Sequence, residues 1–194
     1  MGWEAIIHWD QQAFLTVNNA WSNGLFDLCM PFFREKWFWA PLYLFLTSFA
    51  FVNLGWKNGA RFTLGLLLTV ALCDFTSSEI IKKNVQRLRP CNEPQIREQV
   101  TLRVVACGGG YSFTSSHATN HFGVALYVIG MFGFLSRWVR PCLLVWASAI
   151  ALAQVYVGVH YPLDVCMGGL LGAALGGLVA RLFKPVRSAF IAKA

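Results

Sequence analysis

Apolar runs about twenty residues long, parted by short polar connections, constrain this chain more than any other feature of its sequence. Such runs begin near positions 37, 62, 117, 141 and 163, and as helices each would match the thickness of a bilayer's hydrocarbon layer. Hydrophobic residues make up 56% of the 194 positions and charged residues only 13%, too few charges to cover a soluble domain of this size. The expected fold is an all-α integral membrane bundle of about five transmembrane helices, over residues 37–55, 62–81, 117–135, 141–159 and 163–183. It forms a single domain, 1–194, with residues 1–36 as an N-terminal segment and 184–194 as a tail.

The segment from Trp3 to Trp21 mixes apolar and polar residues too evenly to span a membrane. It reads as a helix lying at the interface, or as one packed on the bundle, and the pattern fits both. No cleavable signal peptide is evident in it. Lys57, Asn58, Gly59 and Arg61 predict a tight turn between the first two spans. In the fifth span Gly168, Gly172 and Gly176, with Gly169, Ala173 and Gly177 beside them, put small residues where another helix can approach closely.

The net charge of +7 does not point to nucleic acid, because the basic residues sit in short connections between apolar runs. No two of the six cysteines have Cys-x2-Cys spacing, so no metal site is expected. Cys91 and Cys107 differ from the others in lying within the one long polar connection, 82–116. They are candidates for a loop-closing disulfide if that loop faces an oxidising compartment.

Five spans place the 82–116 loop and the turn around His160 on the same side. The other side carries Lys57, Arg61, Arg137, Arg140, Arg181, Lys184, Arg187 and Lys193, an equal share of the basic residues. If Lys82 and Arg89 serve chemistry, the remaining bias puts the short turns in the cytoplasm and the loop outside it.

That shared side gathers the reactive side chains. His160 stands four residues before Asp164, with Pro162 suited to the first position of a helix, so the carboxylate falls in the first turn and can orient the imidazole. Lys82 and Arg89 add cations, and Ser115, Ser116 and His117 add hydroxyls, amides and a second imidazole at a loop-to-helix junction. A phosphate dianion is held by such a set. One histidine can attack phosphorus while the other protonates the departing oxygen.

With these residues in view, the sequence resembles the type 2 phosphatidic acid phosphatase family, whose motifs are Lys-x6-Arg-Pro, Pro-Ser-Gly-His and Ser-Arg-x5-His-x3-Asp. The first is complete here as Lys82, Arg89 and Pro90. The second is Thr114-Ser115-Ser116-His117, and the third keeps His160 and Asp164 but has Ala153 and Gln154 for Ser-Arg. The resemblance implies a lipid phosphate phosphatase needing neither metal nor cofactor. His160 would become phosphorylated, Asp164 would orient it, and His117 would act as general acid. Lys82, Arg89, Ser115, Ser116 and Gln154 would line the phosphate site.

Bacterial members act on undecaprenyl diphosphate, lipid A phosphates or phosphatidylglycerol phosphate. A multi-pass protein of the bacterial inner membrane is therefore implied, with its site on the extracytoplasmic face and no obligate protein partner. Gln154 replaces a cation with a neutral amide, and Lys83, Arg87 or Arg103 is expected to compensate. The alternative is a non-catalytic protein that binds or transports phosphorylated lipid through the same pocket.

Overall fold

The computed structural model describes residues 2–183, all helix and connection without strands; the expected tail, 184–194, lies outside the described residues. Helix α1, Trp3–Leu15, continues as a π-helical turn, Thr16–Ala20, and is followed by α2, Gly24–Phe33. Next come α3, Ala40–Asp74, a π-helical segment, Phe75–Ile81, and one further turn, α4, Lys82–Val85. The bundle is completed by α5, Ser116–Phe132, α6, Val139–Tyr156, and α7, Pro162–Leu182.

Three stretches among the described residues are long and apolar enough to cross a membrane: Lys36–Asn92, Val139–Tyr156 and Pro162–Leu182. The first is two arms rather than one rod. Gly55 breaks α3 with φ 75° and ψ 170°, a conformation that costs a residue with a Cβ several times what it costs glycine. The chain folds back there, so that a Cβ on Gly59 would stand 2.7 Å from the Cα of Phe51. The tight turn expected at Lys57–Arg61 is thus corrected: those residues are already helical, and the reversal uses Gly55, upstream of the polar cluster. Trp56, beside the break, is 82% exposed, as suits an aromatic at a membrane–water boundary.

The second arm of α3 meets α5 through Phe62, Leu66, Tyr127, Val128 and Met131. The Tyr127 hydroxyl, fully buried, donates to the carbonyl of Phe62 at 2.9 Å, which removes the cost of an unpaired polar group there. Helices α5 and α7 lie closer still. A Cβ on Gly172 would fall 2.1 Å from the Thr119 carbonyl oxygen, and one on Gly176 2.0 Å from that of Gly123. The small-residue face expected in the fifth span is therefore the surface on which α5 rests, and it fixes the separation between the helix that carries His117 and the helix that follows the His160 turn.

The N-terminal helix is docked on the bundle at the site end. Phe14 packs edge-on against Tyr161, with ring centroids 5.6 Å apart. Asn18 ties three segments together: its Nδ2 donates to the carbonyls of Thr101 and Tyr156, and its Oδ1 accepts from the Thr101 amide. Trp3 and Trp9 remain exposed on the outer face.

Gly172→Val should force α5 and α7 apart, at a cost of about 1–3 kcal/mol or more. The thermal midpoint in detergent and the activity should fall together. Gly177→Ala is the control, since nothing lies within 4 Å of its added Cβ, and it should change neither.

Candidate active site

Asp164 is the hub of the site. As the third residue of α7 it accepts the Tyr161 amide on Oδ2 at 2.9 Å, which both caps the helix and holds the carboxylate beneath the His160 turn. Its own carbonyl accepts the Ser115 amide at 3.0 Å, so the start of α5 is tied to the start of α7. His160 Nδ1 stands 3.5 Å from Asp164 Oδ2, beyond a formed hydrogen bond but within ion-pair reach. The other ring nitrogen, Nε2, lies 3.2 Å from Nη1 of Arg89, and Arg89 is held in turn by the Val159 carbonyl at 3.1 Å. One face of the imidazole therefore meets a carboxylate and the other a guanidinium.

Burial governs the charge on His160. The side chain is 2% exposed, and that burial, aided by Arg89 and Lys82 and opposed by Asp164, pushes its pKa from 6.5 to about 4. The neutral ring, which keeps a lone pair, is the form a nucleophile needs. The stability gained by burying it neutral is complete above pH 6.5 and is lost as the pH falls through about 4.

His117, in the first turn of α5, is near enough for its charge to interact with those of His160 and Lys82. It also lines a cavity of about 680 Å³ between the arms of α3 and α5, with Tyr43, Leu44, Leu66, Leu67 and Val70 supplying most of the apolar wall. His121 Nδ1 donates to the His117 carbonyl at 2.8 Å, and its ring packs edge-on against Trp146. It is a hydrogen-bonded packing residue that also forms part of the cavity wall.

Most of the sequence-predicted residues converge here, with differences in detail. Ser115 caps α5, its Oγ 3.4 Å from the Ala118 amide. Ser116 turns instead to Ser78, with the two hydroxyls 2.9 Å apart, and forms part of the cavity wall, so its side chain is not committed to the phosphate site. Gln154 is fully buried, neither atom of its amide has a partner, and its backbone carbonyl accepts the His160 amide at 3.2 Å. Cys91 and Cys107 are joined, with Cα atoms 5.9 Å apart.

The three cations expected to make up for Gln154 are occupied elsewhere. Lys83 pairs with Glu79 on the exposed side of the helix. Arg103 holds Asp27, Ser22 and the Asn18 carbonyl, and with Tyr156 it keeps the Asp27 carboxyl below the usual range, the Tyr156 hydroxyl being the larger cause. Arg87 bridges Asp164 Oδ1 at 2.8 Å and Asp10 Oδ2 at 2.6 Å. These commitments correct the expectation for all three.

Comparison with known proteins gives the family. The sequence model of the PAP2 superfamily matches residues 62–188, and that stretch contains all three motifs. The chain belongs to the PAP2 superfamily. Similar proteins include the lipid A 4'-phosphatase of Bacteroides thetaiotaomicron, 32% identical over 87% of this chain and 74% of that one. The lipid A 4'-phosphatase of Porphyromonas gingivalis is 29% identical over 97% and 78%. Among solved structures, the PAP2-type phosphatidylglycerolphosphate phosphatase of Bacillus subtilis superposes with TM-score 0.68 at 20% identity, covering 93% of this chain and 87% of that one. Aquifex aeolicus LpxE does so with TM-score 0.64 at 24% identity, over 88% and 93%. This PAP2 chain is a membrane phosphatase of that type.

Sequence reasoning missed Asp10 entirely and assigned Arg87 another task. Asp10, fully buried in α1, accepts the Leu163 amide at 2.9 Å as well as Arg87. Arg87 also lies over the Tyr161 ring, 3.9 Å from its centroid. A chain of contacts thus runs from α1 through Arg87 to the carboxylate that faces His160. No local pattern could have announced it, because Asp10 and Arg87 are 77 residues apart.

Two outcomes are expected for this PAP2 site. Asp10→Asn should leave Arg87 half-paired, lowering stability by about 3–5 kcal/mol and reducing kcat, measured by thermal melts and turnover on one preparation. In 15N-histidine NMR, with only four histidines to assign, the signal that disappears in His160→Ala should belong to a ring still neutral at pH 5.5. A ring titrating near 6.5 would remove the case for burial control.

Proposed function

We propose that the chain hydrolyses a lipid phosphate through a phosphohistidine on His160. The observation that carries this reading is the polarity of the His160 ring: Nδ1 faces Asp164, and Nε2 lies 3.2 Å from Arg89. Nε2 is then the attacking atom, placed where a cation can hold the phosphate oxygens. Attack forms the Nε2–P bond and breaks the bond from phosphorus to the lipid oxygen. The departing oxygen takes its proton from His117. Water then attacks phosphorus, the N–P bond breaks, and the water proton returns to His117. Lys82, Arg89 and the amides at the start of α5 stabilise the equatorial oxygens as charge develops.

The apolar cavity at His117 supports this reading, since a lipid chain lying in it would bring its leaving oxygen towards the proposed acid. Among lipid A phosphate, undecaprenyl diphosphate and phosphatidylglycerol phosphate, the first is favoured. Two relatives matched over most of their length are named lipid A 4'-phosphatases. The Cys91–Cys107 bond supports a site facing outside the cytoplasm of a bacterial inner membrane.

Phosphate release from a panel of lipid monophosphates and diphosphates, in excess EDTA, tests the reading. Wild-type protein should act best on lipid A, and His160→Ala should be inactive. Labelled lipid phosphate quenched in alkali should leave an acid-labile label on the wild type alone. A strict metal requirement, or a label that survives His160→Ala, would overturn the mechanism.

A further inference from the structure

Arg34, the residue that ends α2, sits at the site without a partner. Phe33 before it packs into a cluster containing Ala153, Val157 and Val159, the residues next to Gln154 and His160. The Phe33 carbonyl is held by Trp39 Nε1 at 2.8 Å, which fixes the α2 end at that place. Among the described residues the Arg34 guanidinium donates no hydrogen bond and has no carboxylate within 4.0 Å, and its Nε is buried with no acceptor. Its charge is felt at both Arg89 and His117. Burial, only partly offset by Glu35, makes the guanidinium itself easier to deprotonate.

A partly buried cation that repels another cation and forms no ion pair is a destabilising arrangement unless a ligand completes it. Other polar atoms beside the motif residues are in the same condition. Arg89 Nε, Thr114 Oγ1 and both amide atoms of Gln154 are buried without partners, and Lys82 repels Arg89 as well. Unsatisfied donors on this scale, gathered about one histidine, describe a cradle for a highly charged oxyanion. Arg34 also borders a second hollow, of about 640 Å³, between the α2 end and residues 102–106.

We infer that Arg34 is a phosphate-binding residue of this site, supplying from α2 the cation that Gln154 does not supply from α6. The inference rests on the phosphatase reading and deepens it. It makes the N-terminal region part of the active site, since the segment before residue 37 then delivers both Arg34 and, through Arg87, the support of Asp164.

The test is a set of variants compared for turnover of lipid phosphate and for calorimetric binding of orthovanadate, a tetrahedral oxyanion. Arg34→Gln should lower kcat about a hundredfold and weaken vanadate binding, with the thermal midpoint kept; Arg34→Lys should recover part of both. Arg34→Gln/Gln154→Arg should recover more than Arg34→Gln alone, which a merely structural arginine would not allow. Wild-type vanadate affinity in Arg34→Gln overturns the inference. So does an equal loss in Arg34→Gln and Arg34→Lys without rescue by the second substitution. His160→Ala separates the two claims: if wild type and this variant release phosphate equally, the histidine mechanism fails, while vanadate binding still decides Arg34.

Discussion

The carboxylate of Asp164 is the point on which the rest of the site depends. It is fully buried, yet it caps α7, faces the His160 ring and takes Arg87 on its second oxygen. A buried charge of this kind is tolerated only when every lone pair has a use. Here the uses reach four segments: the turn before α7, the polar loop, α1 through Asp10, and α5 through the Asp164 carbonyl. Disturbing any of them would shift the carboxylate that faces the His160 ring.

The membrane bundle supplies the complementary constraint, which is distance. Tight packing of α5 on the glycines of α7 leaves almost no slack between the helix bearing His117 and the turn bearing His160. Glycine stripes of this kind hold helices by close packing rather than by a hydrophobic drive, since lipid is as apolar as the interior. Rigid spacing is what a two-histidine reaction needs, because attack on one side of phosphorus and protonation on the other tolerate little error in geometry.

Much of this was legible in the chain. Long apolar runs gave the class of fold, and Lys82, Arg89, Ser115, His117, His160 and Asp164 could be picked out because each belongs to a short motif whose spacing survives in one dimension. The reversal at Gly55 was displaced onto Lys57–Arg61, because polar residues mark a membrane boundary without showing which backbone position bends. Asp10, the part inferred for Arg34 and the bridge made by Arg87 were not legible. Their roles arise from segments far apart in sequence, and a lone Asp or Arg in a mixed helix looks the same whether it faces water or a buried partner.

The two hollows have a consequence for traffic. One opens between apolar walls beside His117, and the other opens beside Arg34 under the disulfide-closed loop. For the proposed reaction, separate doors would let the lipid product slide back sideways among its neighbours while the small anion leaves towards water.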